Sequence, residues 1–273
     1  MPELPEVETV RRDLAAVVPG RRIAAIEVTG ARSVRRHDSD EFVARLRGRS
    51  IGGVRRLGKY LLVELDDDEL LVIHLRMSGQ LLLTDGATDR VKHTHVVVRF
   101  DGHADELRFV DPRTFGEWFL TTHGGAGLSH IGPDALDGVA SAGQLGSIVT
   151  SRKRKLKDLL MDQTVIAGIG NIYSDEILFT AGLRYDRLSN TLADGEVARL
   201  FTATRDVLTE AIEHRGSSLA DEQYRDLYGN VGSYATRHRV FAREAQPCRT
   251  CASPIVRIRY GGRSHFFCEV CQA

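Results

Sequence analysis

Residues 60–75 read YLLVELDDDELLVIHL, two apolar runs on either side of four acidic residues. Aliphatic runs of this length around a short polar cluster predict two β-strands joined by a hairpin turn. The pattern repeats between residues 50 and 120, where we predict strands at 51–56, 60–65, 70–75, 79–83, 95–100, 106–110 and 116–120. Many short strands with turn residues between them favour an antiparallel β-sandwich or barrel.

Helical patterns flank this strand-rich stretch. Before it, apolar residues recur at helical spacing over residues 3–18, and a strand at 22–29 and a short helix at 39–47 follow. After the glycine-rich segment 123–127, the pattern predicts helices at 140–150, 156–161, 171–181 and 193–214. The change from a strand pattern to a helical pattern predicts an α+β multidomain chain, with domains at 1–122, 135–232 and 237–273.

Composition limits the classes of function. The chain has 273 residues with 37 basic and 37 acidic side chains, so its net charge does not point to a polyanionic partner. Basic residues are nevertheless concentrated at 152–157 and after residue 237, which predicts one positive face. No apolar run in the sequence has membrane-spanning length, and the N-terminus does not resemble a secretion signal. We therefore expect a cytoplasmic protein.

The four cysteines form two pairs, Cys248-x-x-Cys251 and Cys268-x-x-Cys271, separated by sixteen residues. Two thiolates at each of two tight turns can share one tetrahedral ion, and this spacing is typical of four-cysteine zinc sites. Disulfides within each pair would leave the intervening hairpin without a cross-link. We therefore predict one structural Zn²⁺ ion held by Cys248, Cys251, Cys268 and Cys271.

The first six residues, Met1-Pro2-Glu3-Leu4-Pro5-Glu6, combine two prolines with two carboxylates. Removal of Met1 would give Pro2 a free secondary amine, whose pKa of roughly 8 leaves a lone pair available near neutral pH for attack on an electrophilic carbon. Glu3 would then move the protons of such a reaction. In the alternative interpretation, these residues only form the first turn of a helix.

A glycine turn precedes the helix predicted at 171–181. Gly168 and Gly170 would let backbone N–H groups approach a phosphate at the helix N-terminus. The third glycine of a dinucleotide fingerprint is missing, so the turn better suits the backbone of a nucleic acid. In the alternative interpretation, Asn171 is only a helix cap.

Apolar and cationic residues share two of the predicted loops, which hold Met77, Arg113 and Phe115. Inserted into a duplex, such side chains can fill the space of a displaced base and stack on its neighbours. Lys59 follows Gly58 at the start of a predicted strand, and taken alone it would be a solvated edge charge.

Seven motifs occur in the order found in bacterial formamidopyrimidine-DNA glycosylases. They are Pro2-Glu3-Leu4-Pro5-Glu6, Gly58-Lys59-Tyr60-Leu61-Leu62, His74-Leu75-Arg76-Met77-Ser78-Gly79, Lys92-His93-Thr94-His95, Asp111-Pro112-Arg113, Gly168-Ile169-Gly170-Asn171-Ile172-Tyr173 and the four-cysteine pattern. Together they span nearly the whole chain, which therefore resembles this family. The resemblance implies an N-terminal antiparallel β-sandwich with flanking helices, a helical domain with a helix-two turns-helix motif, and a C-terminal four-cysteine zinc-finger β-hairpin.

The resemblance also implies catalytic roles. Pro2 is expected to attack C1′ of the damaged nucleoside, Glu3 to assist opening of the sugar with Glu6 in support, and Lys59 to donate a proton for β-elimination. Arg263 resembles the finger arginine tied to δ-elimination, and a guanidinium suits a phosphate clamp better than an acid.

Further residues match DNA-contacting positions of the family: His74, Met77, His93, Arg113, Phe115, Arg152, Lys157 and Asn171. Within the segment 217–234, which matches a loop that closes over the extruded base in relatives, the candidates are Ser217, Ser218 and Tyr234.

These roles predict a bifunctional DNA glycosylase and abasic-site lyase that removes oxidised purines from damaged double-stranded DNA, acting as a monomer at the bacterial nucleoid. Two alternatives stay open. An endonuclease VIII-like glycosylase for oxidised pyrimidines would share the nucleophile and the finger, although that branch usually has glycine where Leu4 stands. A non-catalytic protein that binds damaged DNA would need only the basic helices and the finger.

Overall fold

The computed structural model describes residues 1–219 and 224–273, and the chain divides into two compact units. Unit 1 comprises residues 1–129 and 214–233, and unit 2 comprises residues 130–213 and 234–273. Residues 214–233 thus group with the N-terminal part of the chain, whereas the sequence pattern placed most of them in a helical domain. The predicted three-domain boundaries stay a prediction.

The described residues of unit 1 form two α-helices and eight strands. In chain order these are α1 (Leu4–Val17), β1 (Ile23–Val28), α2 (Ser39–Leu46), β2 (Ile51–Leu57), β3 (Tyr60–Leu65), β4 (Glu69–His74), β5 (Gln80–Asp85), β6 (Thr94–Phe100), β7 (Asp105–Val110) and β8 (Glu117–Thr122). All eight predicted strands and both predicted helices are confirmed, with ends displaced by a few residues.

The strands form two antiparallel four-stranded sheets, one in the order β1-β6-β7-β5 and the other in the order β2-β3-β4-β8. Strands β3 and β4 are the two apolar runs around the acidic cluster, and Tyr60 pairs with His74 across them. Strand β3 is mostly apolar because both of its faces are largely buried, with Glu64 as the one charged residue, and α1 packs on β2 and β3.

One hydrophobic core joins the two sheets and α1. It contains Val10 of α1, Leu61 of one sheet, Phe109 of the other, and Trp118, each less than 1% exposed. The core thus confirms the predicted antiparallel β-sandwich with flanking helices.

Unit 2 contains α3 (Ala142–Thr150), α4 (Leu156–Leu160), α5 (Asn171–Ala181) and α6 (Asp194–Glu213), followed by the hairpin strands β9 (Val256–Tyr260) and β10 (Arg263–Phe267). Helix α5 is buried on nearly every side and packs on α6. The four predicted helices and the hairpin are confirmed.

In the part of the chain that the structure describes, three short 3₁₀ helices occur in addition, at Ala31–Val34, Ser189–Thr191 and Tyr234–Arg237. They were not predicted, because a single turn leaves no periodic pattern in the sequence. Over residues 1–219 and 224–273, no helix is both long and apolar enough to cross a membrane.

Candidate functional site

The N-terminus of α1 is organised by a reciprocal capping box. Glu3 is the N-cap residue, and its carboxylate accepts a hydrogen bond from the backbone N–H of Glu6. The Glu6 carboxylate in turn accepts from the N–H of Glu3, at 2.8 Å. Both carboxylates are almost fully buried, at 2% and 1% exposure. The cap fixes the backbone directly after Pro2. These residues can therefore form the first turn of a helix and also hold Pro2 in position as a nucleophile.

Glu6 also holds the loop that follows α6. Its second carboxylate oxygen, Oε1, accepts a hydrogen bond from the N–H of Ser217 at 2.7 Å. Gly216 passes so close that a Cβ at this position would lie 2.7 Å from the same oxygen, and its φ of +79° is in the left-handed region. One carboxylate thus joins the helix start to a loop 211 residues later, a link that local sequence patterns do not reveal.

Three residues were candidates for the loop that closes over the extruded base in relatives. Ser217 and Ser218 lie on the loop that follows α6, and Tyr234 does not. The Ser218 hydroxyl donates to the carbonyl of Tyr224 and accepts from the N–H of Gly232, so Ser218 ties the loop to itself. Tyr234 belongs to unit 2 and is fully buried, and its hydroxyl accepts from Arg239. Residues 220–223 of this segment lie outside the described residues.

Lys59 stands in the turn between β2 and β3 and is only 5% exposed. Its interpretation as a solvated edge charge was therefore wrong. Gly58 makes the turn with a φ of +57°, and the Gly58 carbonyl accepts from Arg56, which also binds Glu8 of α1 at 3.0 Å. A buried ion pair between α1 and β2 thus supports the turn that carries Lys59.

His74 lies near Lys59, at the end of β4, and is 6% exposed. Burial, with the nearby charges of Arg76 and Lys59, lowers its pKa well below the ordinary value, so the ring is neutral. Its Nδ1 accepts from the N–H of Arg76 at 2.8 Å, which places the proton on Nε2. The remaining N–H is a suitable donor for a phosphate oxygen, and the DNA contact of His74 stays a prediction.

Met77 and Phe115 are exposed at two loop tips, by 37% and 40%, and the Arg113 guanidinium lies 5.2 Å from the Phe115 ring centre. The two loops are joined by Asp111, which is fully buried. Its carboxylate accepts from the Ser78 hydroxyl of one loop and from the N–H of Gly116 in the other. Asp111 is thus a positioning residue. The sequence analysis included it in the Asp111-Pro112-Arg113 motif but assigned it no role.

His93 belongs to the same neighbourhood. Its carbonyl accepts from the N–H of Asp111 at 3.0 Å, and its φ of +68° is unusual for a residue with a side chain. The neighbouring Thr94 hydroxyl donates to the Val91 carbonyl. Thr94 therefore stabilises the loop backbone. The DNA contact of His93 stays a prediction.

In unit 2, the glycine turn before α5 is braced by Gln163. Its side chain accepts from the N–H of Gly168 and donates to the carbonyl of Ile169. Gly170 is the helix N-cap, so the interpretation of Asn171 as only a cap was wrong. Within the described part of the chain, the buried Oδ1 atom of Asn171 has no hydrogen-bond partner. An acceptor without a partner can take a hydrogen bond from a donor outside the described chain. The DNA contact of Asn171 stays a prediction.

Lys157 was predicted to contact DNA, and the structure contradicts this. The side chain is 1% exposed, and its Nζ donates to Asp175 at 2.7 Å and to the carbonyl of Ser264 at 3.2 Å. The second Asp175 oxygen accepts from the N–H of Phe266. Burial raises the pKa of Asp175 to about 7, which the ion pair with Lys157 opposes. This pair fixes strand β10 to α4 and α5.

Arg152 and Arg263 are exposed, as DNA-contacting residues must be. Arg152 donates to the carbonyl of Ile148 and so holds the last turn of α3. Arg263 begins β10 directly after Gly261 and Gly262, whose φ values of +58° and +76° are those of a tight hairpin turn. It lines a cleft of about 520 Å³ in which four basic side chains outnumber two carboxylates.

The four cysteines converge as predicted, with their sulfur atoms all within 4.8 Å of one another. The measured Sγ–Sγ separations of 3.4 Å and 3.9 Å fit a tetrahedral site, because Zn–S bonds of about 2.3 Å place sulfur atoms about 3.8 Å apart. Cys248 and Cys268 are buried, and Cys251 and Cys271 are partly exposed. The cluster is therefore a site for one structural zinc ion.

Family models match three parts of the chain. Residues 1–118 match the formamidopyrimidine-DNA glycosylase N-terminal domain, and residues 131–223 match the H2TH domain of the same enzymes. Residues 245–273 match a zinc finger found in FPG and IleRS.

Full-length relatives agree with these matches. The formamidopyrimidine-DNA glycosylase of Herpetosiphon aurantiacus is 42% identical, and the alignment covers 100% of both chains. The Thermus thermophilus MutM (Fpg) structure has a TM-score of 0.88 at 38% identity and covers 99% of this chain and 98% of its own. Lactococcus lactis Fpg, bound to DNA containing N7-benzyl-Fapy-dG, has a TM-score of 0.88 at 33% identity, with 99% of both chains covered. The chain belongs to the formamidopyrimidine-DNA glycosylase family.

Proposed function

We propose that this chain is a bifunctional DNA glycosylase and abasic-site lyase that removes oxidised purines such as 8-oxoguanine and formamidopyrimidines. The observation that carries the proposal is the capping box between Glu3 and Glu6, which holds the start of the chain in one buried geometry. Pre-organisation of this kind suits covalent catalysis, because the nucleophile reaches the sugar without first being ordered.

Pro2 is the proposed nucleophile after removal of Met1. Its nitrogen attacks C1′ of the extruded nucleotide, the N-glycosidic bond breaks, and the base leaves with the bonding electron pair. Glu3 protonates O4′ as the sugar ring opens, and the C1′ iminium of a Schiff base remains. The buried carboxylate of Glu3 is adjacent to Pro2 in the chain, which suits a proton donor at this point.

The strand is then cut in two eliminations. A C2′ proton is lost to solvent while the C2′–H electron pair flows into the iminium, which allows the C3′–O3′ bond to break. Loss of a C4′ proton to solvent afterwards allows the C5′–O5′ bond to break. Each phosphate leaves with the electron pair of its C–O bond. We assign the proton donor of the first step to Lys59, whose turn is supported by Arg56 and Glu8. We assign the binding of a leaving phosphate to Arg263.

DNA binding is assigned to cations and hydrogen-bond donors on both units: His74, His93, Arg113, Arg152 and Asn171. Met77, Arg113 and Phe115 are proposed to fill the space of the extruded base. The exposed apolar tips support this role, since the Asp111 carboxylate holds both loops in place. Extrusion costs least at a damaged pair, which contributes to selectivity.

Zinc has a structural part in this proposal, because all four protein ligands of a tetrahedral site are supplied by cysteines. We propose that the protein acts as a monomer at the nucleoid in the bacterial cytoplasm, where its DNA substrate is found. The boundaries at 122, 135, 232 and 237 are proposed as domain limits.

The test compares duplexes that contain 8-oxoguanine or thymine glycol as substrates of the protein lacking Met1. We expect faster excision of 8-oxoguanine, with phosphates at both ends of the resulting gap. Pro2→Gly should lose most of this activity. Preferential release of thymine glycol would favour the pyrimidine-specific alternative, and damage-specific binding without any excision would favour the non-catalytic one.

A further inference from the structure

We propose that Lys155 and Tyr260 form a positioning pair that holds the tip of the finger hairpin and thereby determines how efficiently Arg263 promotes the δ-elimination step. The proposal rests on the phosphate-binding role proposed above for Arg263. Lys155 and Tyr260 are not adjacent in sequence to the zinc-binding cysteines, and neither residue takes part in proton transfer.

The pair is a cation–π contact between a helix start and the hairpin. The Lys155 ammonium lies 3.9 Å from the centre of the Tyr260 ring. Lys155 is the N-cap residue of α4, and its backbone is fixed by a β-bridge to Leu188 and by a hydrogen bond from Leu159. The cation is therefore presented from a rigid base.

Tyr260 lies directly opposite Arg263 in the hairpin register. Directly paired residues of an antiparallel ladder project from the same face, so the tyrosine ring and the guanidinium lie side by side. Both residues, together with Lys155, line the cleft of about 520 Å³ described above. A contact that fixes the ring therefore restricts the space available to the guanidinium.

The tip needs such a restraint. Gly261 and Gly262 have left-handed φ values, and apart from their chain neighbours no atom of residues 1–219 or 224–273 lies within 4 Å of where a Cβ of either would be. Glycine turns are conformationally free, and an isolated two-stranded hairpin is only marginally stable. Lys157 and Asp175 fix β10 at Ser264 and Phe266, whereas the contact at Tyr260 acts on the opposite strand, where the turn begins.

The charges of the cleft agree with a phosphate as the occupant next to Arg263. Its basic side chains are Lys153, Arg154, Lys155 and Arg263, and its acidic ones are Asp158 and Asp162. Asp162 is paired with Arg154 at 2.6 Å. Removal of the Tyr260 ring would leave the Lys155 ammonium without its aromatic partner in the cleft that Arg263 also lines.

The experiment uses the full zinc-loaded protein lacking Met1 and a duplex with an abasic site, so that excision of the base is bypassed. Single-turnover products are separated by electrophoresis, and the ratio of 3′-phosphate ends (δ) to 3′-unsaturated aldehyde ends (β) is measured. We expect Tyr260→Leu and Lys155→Met each to lower this ratio about two- to fivefold, the factor that corresponds to an exposed cation–π contact. The double variant should show little further loss, since both changes remove the same contact.

Two controls isolate the contact. Tyr260→Phe retains an aromatic ring and should keep the wild-type ratio. Phe201→Leu removes a different aromatic–arginine contact, that of Arg205 on α6, and should also leave the ratio unchanged.

An unchanged ratio in Tyr260→Leu, or an equal loss of both products, would overturn the positioning role. Arg263→Ala separates the two proposals. If that variant lowers the ratio and Tyr260→Leu does not, the pair has no positioning role. If Arg263→Ala itself leaves the ratio unchanged, the proposed role of Arg263 fails.

Discussion

The helix start at residues 2–6 and the hairpin tip at residues 260–263 carry two successive parts of the proposed chemistry, but they are held in different ways. In the helix start, two buried carboxylates make reciprocal backbone hydrogen bonds, and one of them also binds Ser217. At the hairpin tip, two glycines form an exposed turn. A cation–π contact holds the strand before the turn, and a hydrogen bond from Lys157 to the Ser264 carbonyl holds the strand after it.

The difference matches the demands of the two steps. A nucleophile must be held within a fraction of an ångström of C1′, so several hydrogen bonds determine its position. A phosphate clamp only needs charge near a flexible strand, so a weaker restraint is sufficient. We therefore expect substitutions at the helix start to abolish chemistry and substitutions at the tip to redistribute products.

The largest expected effect is that of Glu3→Gln, which keeps the size of the side chain but removes the acid. Because general acid–base groups contribute about 10²–10⁴-fold, we expect a loss of this order in the single-turnover rate of 8-oxoguanine excision. Glu41→Gln on the exposed side of α2 is the matched control and should react at the wild-type rate. A loss of less than about tenfold for Glu3→Gln would contradict the assigned role.

Arg263→Ala should have the next largest effect, and it should fall on one step. A hydrogen bond to a charged group contributes about 1.5–3 kcal/mol, so we expect the rate of δ-elimination to fall about 10- to 100-fold while base excision is retained. Arg259→Ala removes another exposed arginine of the same hairpin, one position before Tyr260 and so on the opposite face. If both variants lose δ-elimination equally, bulk charge rather than position explains the effect.

Glu6→Ala tests how the helix start is held. It removes the acceptor of the Glu3 N–H and of the Ser217 N–H, and each buried donor left without a partner costs about 1–3 kcal/mol. We expect a lower unfolding free energy by at least that amount in urea titrations, with a smaller loss for Glu6→Gln, which retains an oxygen acceptor. A change below about 0.5 kcal/mol would show that the link does not stabilise the fold.

The smallest effect concerns the pH dependence of stability through His74. Its folded-state pKa lies well below 6.5, so between the two values the unfolded chain binds more protons and stability rises with pH. Lowering the pH from 7.5 to 5.5 should therefore reduce the unfolding free energy through this residue, with about 1.4 kcal/mol as the upper limit for an unfolded-state pKa of about 6.5. The unfolding free energy of His74→Gln should depend less on pH than that of the wild type by up to this amount. Equal slopes would mean that His74 titrates normally.

The sequence predicted features that depend on local patterns better than those that depend on long-range contacts. Strands such as β3 and β4 were predicted within about a residue, because their apolar runs and the acidic turn between them are local signals. The four cysteines were predicted as one site, because their spacing reflects the geometry of the ion.

Long-range relations were not predictable in this way. Within the basic run, nothing local distinguished Lys157, which is buried against Asp175, from Lys155, which reaches the hairpin. The link from Glu6 to Ser217 and the role of Asp111 between two loops also depend on the tertiary fold. These residues position the chemistry, whereas the motifs identify the residues that perform it.

The most direct test of the account is to trap the covalent intermediate and locate it in the chain. The protein lacking Met1 is mixed with an 8-oxoguanine duplex and sodium borohydride, digested, and the DNA-linked peptide is identified by mass spectrometry. We expect one adduct, on the nitrogen of Pro2, and none after that amine has been acetylated. An adduct on Lys59, or undiminished trapping after acetylation of Pro2, would contradict the account.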